Sequence, residues 1–223
     1  GIKLLVPGAE QARLYRWVAV LTGSKNALKG VGFFLGGALL AALGFDGAVI
    51  AMAAALGVVW LASLALLQKD LGKARAKPKF TELLSKSAAI NRLSAARLLL
   101  FAARDVWFVV ALPVYLATTL GWSHAAIGGF LATWIIGYGA VQALAPAVTG
   151  QRGGQPPGGG AAFAWAAALA LLTAGLAWAL GAGWPAQTVL VAGLLAFGAA
   201  FAVNSALHSY LIVAHAREDG VSL

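Results

Sequence analysis

Residues 47–68 read GAVIAMAAALGVVWLASLALLQ and hold no charged side chain. A helix rising 1.5 Å per residue needs about 20 such residues to cross the hydrocarbon of a bilayer. Outward from this run lie others of the same kind: 17–44 before it, then 96–120, 125–148, 160–181 and 188–214. The joints carry turn chemistry, in Gly44-Phe45-Asp46, Gly121-Trp122-Ser123, the Gly/Pro tract 153–160 and Gly183-Trp184-Pro185. The expected fold is all-α, a polytopic membrane protein with six transmembrane helices.

Composition agrees. Hydrophobic residues make up 61% of the chain and charged residues 10%, where a soluble domain carries about a quarter charged. Lipid is the solvent that accepts such a surface. The chain has no cysteine, so disulfides, thiolate metal sites and cysteine nucleophiles are excluded. It starts at Gly1 without Met and stops at Leu223 inside a charged stretch. Both ends are expected to be cuts in a longer protein.

A net charge of +9 and a pI near 10.3 suggest nucleic acid until the charges are placed. All 16 lysines and arginines except Lys25, Lys29 and Arg104 fall in alternate loops or at the ends. Lys3, Arg13 and Arg16 precede the first span. Lys69, Lys73, Arg75, Lys77, Lys79, Lys86, Arg92 and Arg97 lie between the second and third. Arg152 lies between the fourth and fifth, and Arg217 follows the sixth. The intervening loops carry only Asp46 and His124. This is positive-inside patterning with both ends cytoplasmic, and it removes the case for a nucleic-acid partner. The long basic loop is read as a solvated linker near anionic lipid. A short interfacial helix around Phe80, Thr81, Leu83 and Leu84 is the alternative.

Lys25, Lys29, Arg104 and Asp105 remain inside or at the edge of spans. An ionisable side chain there costs at least about 2.5–3.5 kcal/mol to insert, so it faces a cavity, finds a partner or snorkels. Counted from the outer helix ends, Lys29, Arg104 and Asn204 lie at similar depth, roughly 22–24 Å down. Thr22, Lys25, Lys29, Gly32 and Gly36 share one helical face, as do Ser94, Arg97 and Arg104. Trp134, Tyr138 and Gln142 form an i, i+4, i+8 stripe, and Asn204 and His208 are one turn apart. The candidate substrate-binding residues are Lys25, Lys29, Arg104, Asn204, Tyr138 and Gln142. Asp105 and His208 are the candidates for proton coupling. Each has a plainer reading as a packed or snorkelling side chain. Arg104 and Asp105 are sequence neighbours about 100° apart, so adjacency alone does not pair them; Asp105 is a candidate partner for a cation on another helix.

Three cations to one carboxylate favour a small anionic solute, above all a phosphate-like oxyanion. Metal-dependent chemistry on lipid phosphates would want several carboxylates, and only Asp105 lies within a span. His208 and His215 share a helix while His124 lies at the other side, which does not suit haem. No Walker loop is present. No cofactor, no metal and no enzymatic activity are expected.

Six spans with a long basic loop after the second resemble helices five to ten of the twelve-helix major facilitator superfamily. Gly32-Phe33-Phe34-Leu35-Gly36-Gly37 resembles the glycine-rich antiporter motif of that superfamily's exporters, with Phe33 where a proline is usual. The stretches SKNALKGVGFFLGG (24–37), ARDVWFVVALPVYL (103–116) and GIKLLVP (1–7) resemble the organoarsenical efflux permeases (ArsJ-type) of bacterial arsenic-resistance operons. The resemblance implies a secondary transporter in the bacterial inner membrane that exports arsenylated phosphoglycerate by alternating access, with proton coupling. It implies that 1–68 are the last two helices of one bundle and 69–95 a cytoplasmic inter-bundle loop. Residues 96–223 are then the first four helices of the second bundle, and the remaining helices are partners. Glycines such as Gly36, Gly128, Gly137 and Gly198 are expected to let helices approach closely and slide. A carrier of another solute, such as a sugar phosphate or a drug, and a membrane-embedded enzyme or scaffold are the alternatives.

Overall fold

Residues 11–66, 87–149 and 157–218 are described by the computed structural model of the chain. The possible interfacial helix around residues 80–84 lies outside them, as do the basic residues Lys69 to Lys86 and Arg152 that carry most of the orientation signal. Among the described residues every regular element is helical. The elements are α1 (Gln11–Leu66), α2 (Ala88–Val106), a π-helical turn (Trp107–Ala111), α3 (Leu112–Thr118), α4 (His124–Val148), α5 (Gly159–Gly181) and α6 (Ala186–Glu218). With α2, the π turn and α3 running as one rod, five helices are long and apolar enough to cross a membrane.

A straight rod of the 56 residues of α1 would be about 84 Å long, far beyond a hydrocarbon core of about 30 Å. Its helical geometry breaks once, at Gly44 (φ 68°, ψ −177°). That backbone would strain a residue with a Cβ, which is why glycine stands there. The other two joints read from Gly-containing triplets behave alike, with positive φ at Gly121 and Gly183. After the break, Phe45, Ile50, Leu56, Val58, Trp60, Leu64 and Leu66 are all exposed. Such a surface is stable against lipid, not water.

α2 begins at Ala88, eight residues before the expected start at residue 96. The apolar run does begin later, but Ser87 caps the helix by accepting a hydrogen bond from the Ile90 amide at 3.4 Å. Arg92 and Arg97 therefore sit on a helix and not in a loop. α4 starts in the same way, with Ser123 accepting from the Ala126 amide at 3.2 Å.

α6 runs through the middle of the packing, and residues 201–208 are buried without interruption. One core cluster joins Leu14, Tyr15 and Val18 of α1 to Ala145, Val203, Leu207 and Tyr210. A second joins Phe108, Leu112 and Leu116 to Leu131, Trp134, Tyr138, Phe197 and Phe201. Trp134 donates its indole N–H to the Leu194 carbonyl at 2.7 Å, locking α4 to α6.

The closest helix approach is not where glycine frequency pointed. A Cβ at Gly36, Gly128 or Gly137 would meet nothing within 4 Å, whereas one at Gly198 would strike the Trp134 ring at 2.8 Å. The tight seam is between α1 and α4, at Gly23 and Gly139. A Cβ on Gly139 would lie 2.5 Å from the Gly23 carbonyl oxygen and 2.6 Å from the Ala27 nitrogen. Backbone meets backbone there, so only glycine fits. A Gly-rich sequence does not say which glycines face a neighbour.

Candidate functional site

The seam between α1 and α4 opens beside α2 into a cleft of about 310 Å³. α1 contributes Asn26, Lys29 and Phe33, spaced i, i+3, i+7 along one face. Arg104 and Asp105 enter from α2, and Trp134 and Tyr138 from α4. Lys29, Arg104, Asp105 and Tyr138, singled out separately from the sequence, thus share one space. Phe33, Phe101 and Phe108 make much of the remaining wall aromatic.

Phe108 and Val109 reach this wall from the π-helical turn. Pro113 accounts for the turn: it has no N–H for the Val109 carbonyl, and its ring crowds that carbonyl. The preceding residue adapts, and the Leu112 amide bonds to the Trp107 carbonyl, five residues back.

Arg104 and Asp105, whose pairing adjacency left open, do pair. Arg104 donates from Nε to Asp105 Oδ1 at 2.7 Å, and its NH2 lies 2.6 Å from the same oxygen. Spacing of 100° separates the Cβ directions, but a long arginine side chain curls back across it. Above this pair the guanidinium lies 5.0 Å from the Phe101 ring centre and 4.9 Å from that of Phe201. The expected alternative of a cation on another helix for Asp105 is not what the side chains do.

Asn204 is fully buried in α6 and does not line the cleft, and neither amide atom has a hydrogen-bond partner among the described residues. Its depth matches that of Lys29, but depth leaves the direction around the helix axis open. His208, one turn on, is also buried. Gln142 is a bridge rather than a lining residue. Its Oε1 accepts from Asn26 Nδ2 at 2.6 Å, and its Nε2 donates to Ser205 Oγ at 3.2 Å, tying α1, α4 and α6 together. Asn26, which the sequence reading passed over, both lines the cleft and holds this bridge.

Lys25 faces a neighbouring cleft of about 420 Å³ with Leu21, Thr22, Arg97, Ser209 and Ile212. Arg97 was counted from the sequence among the orienting loop charges. Its NH1 donates to Ser209 Oγ at 2.5 Å and to the Ser205 carbonyl at 3.5 Å. Its guanidinium lies 4.9 Å from the Phe101 ring centre. Phe101 is therefore a platform shared by two arginines, one for each cleft. The i, i+7 spacing of Arg97 and Arg104, noted in the sequence, was the available signal.

The chemistry these walls offer is charge and shape. No group of three His, Cys, Asp or Glu side chains among the described residues is placed to hold a metal ion. Comparison with family models, curated proteins and solved structures returns no match for this chain.

Proposed function

We propose that this chain is the central part of a secondary transporter for a small organic anion. In this reading α1 makes two crossings joined at Gly44, giving six in all, and the helices belong to a major facilitator fold in the bacterial inner membrane. The observation that carries the proposal is the common cleft of Lys29, Arg104 and Asp105, where α1 meets α2 and α4. Charges inside apolar spans are costly, and a cleft that collects them from two helices suits an anion that must be held and released.

On this reading the α1–α4 seam lies between the two bundles. The anion docks on Arg104 and Lys29, and its charge competes with Asp105 for the guanidinium. Rocking of the bundles then alternates access, and the Asn26–Gln142 hydrogen bond across the seam biases which side is open. Protonation of Asp105 would release Arg104 to the anion, a route to proton coupling that His208, outside the cleft, does not share. The resemblance to organoarsenical permeases makes arsenylated phosphoglycerate the first solute to test.

One feature of the wall favours a second solute class. Phe33, Phe101, Phe108, Trp134 and Tyr138 suit an anion bearing an aromatic or apolar body, such as a drug. The deciding experiment is uptake into sealed inside-out vesicles carrying the full-length parent. Arsenylated phosphoglycerate is generated in place by the glycolytic dehydrogenase from arsenate. The expected result is gradient-dependent accumulation that falls at least tenfold in Arg104→Gln, loss of a charge-assisted contact. Competition by aromatic carboxylates with no arsenical uptake would move the assignment to the second class. Uptake of neither discards the anion site.

A further inference from the structure

We propose that the cleft of Thr22, Lys25, Arg97 and Ser209 is a second oxyanion-binding site, separate from the Lys29–Arg104 cleft. The argument rests on how Arg97 is held. Both of its hydrogen bonds, to Ser209 Oγ and to the Ser205 carbonyl, leave from NH1. Phe101 covers one face of the guanidinium. Nε and NH2 have no hydrogen-bond partner among the described residues, and no carboxylate there pairs with Arg97. The group is thus fixed at one corner and on one face, while the remaining donors meet none of the described residues. An immobilised guanidinium with unused donors is suited to a tetrahedral oxyanion, which takes paired N–H bonds.

The rest of the cleft supplies what such an anion needs. Lys25 adds a second, exposed positive charge from α1. Thr22 and Ser209 line it from α1 and α6, so three helices converge on one space of about 420 Å³. Ser209 accepts from Arg97 and donates to the Ser205 carbonyl at 2.8 Å, and Thr22 donates to the Val18 carbonyl at 2.6 Å. Both hydroxyl protons are thus committed, and the donors left for an anion are those of Arg97 and Lys25. Arg104 offers the opposite case, since its Nε and NH2 both meet Asp105. Of the two arginines on the Phe101 platform, Arg97 is the one ready for an anion without prior release. Residues 25 and 29 are one helical turn apart on α1, and residues 97 and 104 two turns apart on α2. A single phosphate-sized group does not span both clefts, so two sites are expected.

Inorganic phosphate is the probe, titrated by equilibrium binding onto the full chain in lipid nanodiscs. Two phosphates per chain are expected. Lys25→Gln and Arg97→Gln should each weaken one of them by about tenfold or more, as loss of a charge-assisted bond does. Arg104→Gln should weaken the other and leave the first unchanged. If Arg97→Gln fails to fold, Lys25→Gln decides alone, because that side chain is exposed. A wild-type chain that binds no phosphate, or a Lys25→Gln chain that keeps every site of the wild type, overturns the proposal. Loss of one site in Lys25→Gln with no effect of Arg104→Gln upholds it and instead removes the site on which the transport reading rests.

Discussion

Arg97 and Arg104 stand two turns apart on α2, stack on the same phenylalanine and line neighbouring clefts, yet their surroundings differ in kind. Arg104 is closed by the carboxylate next to it in sequence, while Arg97 is steadied by a serine hydroxyl and a backbone carbonyl that leave it its full charge. One cation has its charge balanced by Asp105. The other has no carboxylate beside it among the described residues. A count of positive charges treats them as equal, and the difference shows that the partner, not the residue type, sets what a half-buried cation does.

The largest expected effect falls on what the two clefts share. Gly139→Ala puts a methyl against the Gly23 carbonyl and the Ala27 nitrogen, in backbone that cannot yield as a side chain would. Overpacking of this kind costs typically 1–3 kcal/mol, so thermal unfolding of the full chain in detergent should shift downward, and anion response at both clefts should fall together. Gly36→Ala is the control, with open space around it, and should stay within about 0.5 kcal/mol. Equal losses in the two variants would mean that α1 does not pack on α4 as described.

Phe101→Ala removes the common platform and its edge contact with Phe201 at 5.2 Å. For this partly buried ring the loss should be about 2 kcal/mol, below the 3–5 of a fully buried one. Phe101→Leu keeps much of the volume and loses only the cation–π share, about 0.5–1 kcal/mol per arginine. Should Phe101→Leu weaken phosphate binding at one cleft only, the platform is not shared.

Next comes the bridge between helices. Asn26→Leu and Gln142→Leu each break their mutual hydrogen bond, and a double-mutant cycle should return a coupling of about 1 kcal/mol. Additive effects would show that the two amides do not interact.

The smallest effect is the sharpest for the comparison. Asp105→Asn removes the charge that closes Arg104, and its side chain is about half exposed, at 48%. Solvent weakens such a pair, so phosphate should bind the Lys29–Arg104 cleft only about threefold to fivefold tighter. The Lys25–Arg97 cleft should not respond. A matching gain at both would erase the distinction between the two arginines.

The helices and the glycine joints between them were legible because the physics behind them is local. Gly44, Gly121 and Gly183 break the backbone where the triplets containing them were read as joints. Periodicity likewise put Lys29 on one face of α1 and set Arg97 and Arg104 on one face of α2. Misreadings came where two explanations fit one residue: Arg97 satisfied the positive-inside pattern so well that it was left out of the candidate binding residues. The start of α2 was missed because a cap such as Ser87 extends a helix beyond the apolar run that signals it.

Lipid as solvent was written into the amino-acid order itself, because the cost of exposing apolar residues to water depends only on their number and spacing. Which cation is tied and which is free was not, nor which glycines touch or where Asn204 points. Those depend on rotation about helix axes and on side-chain torsions, which settle only when α1, α2, α4 and α6 meet. Sequence sets how far along a helix a charge lies, and packing alone chooses the neighbour it faces.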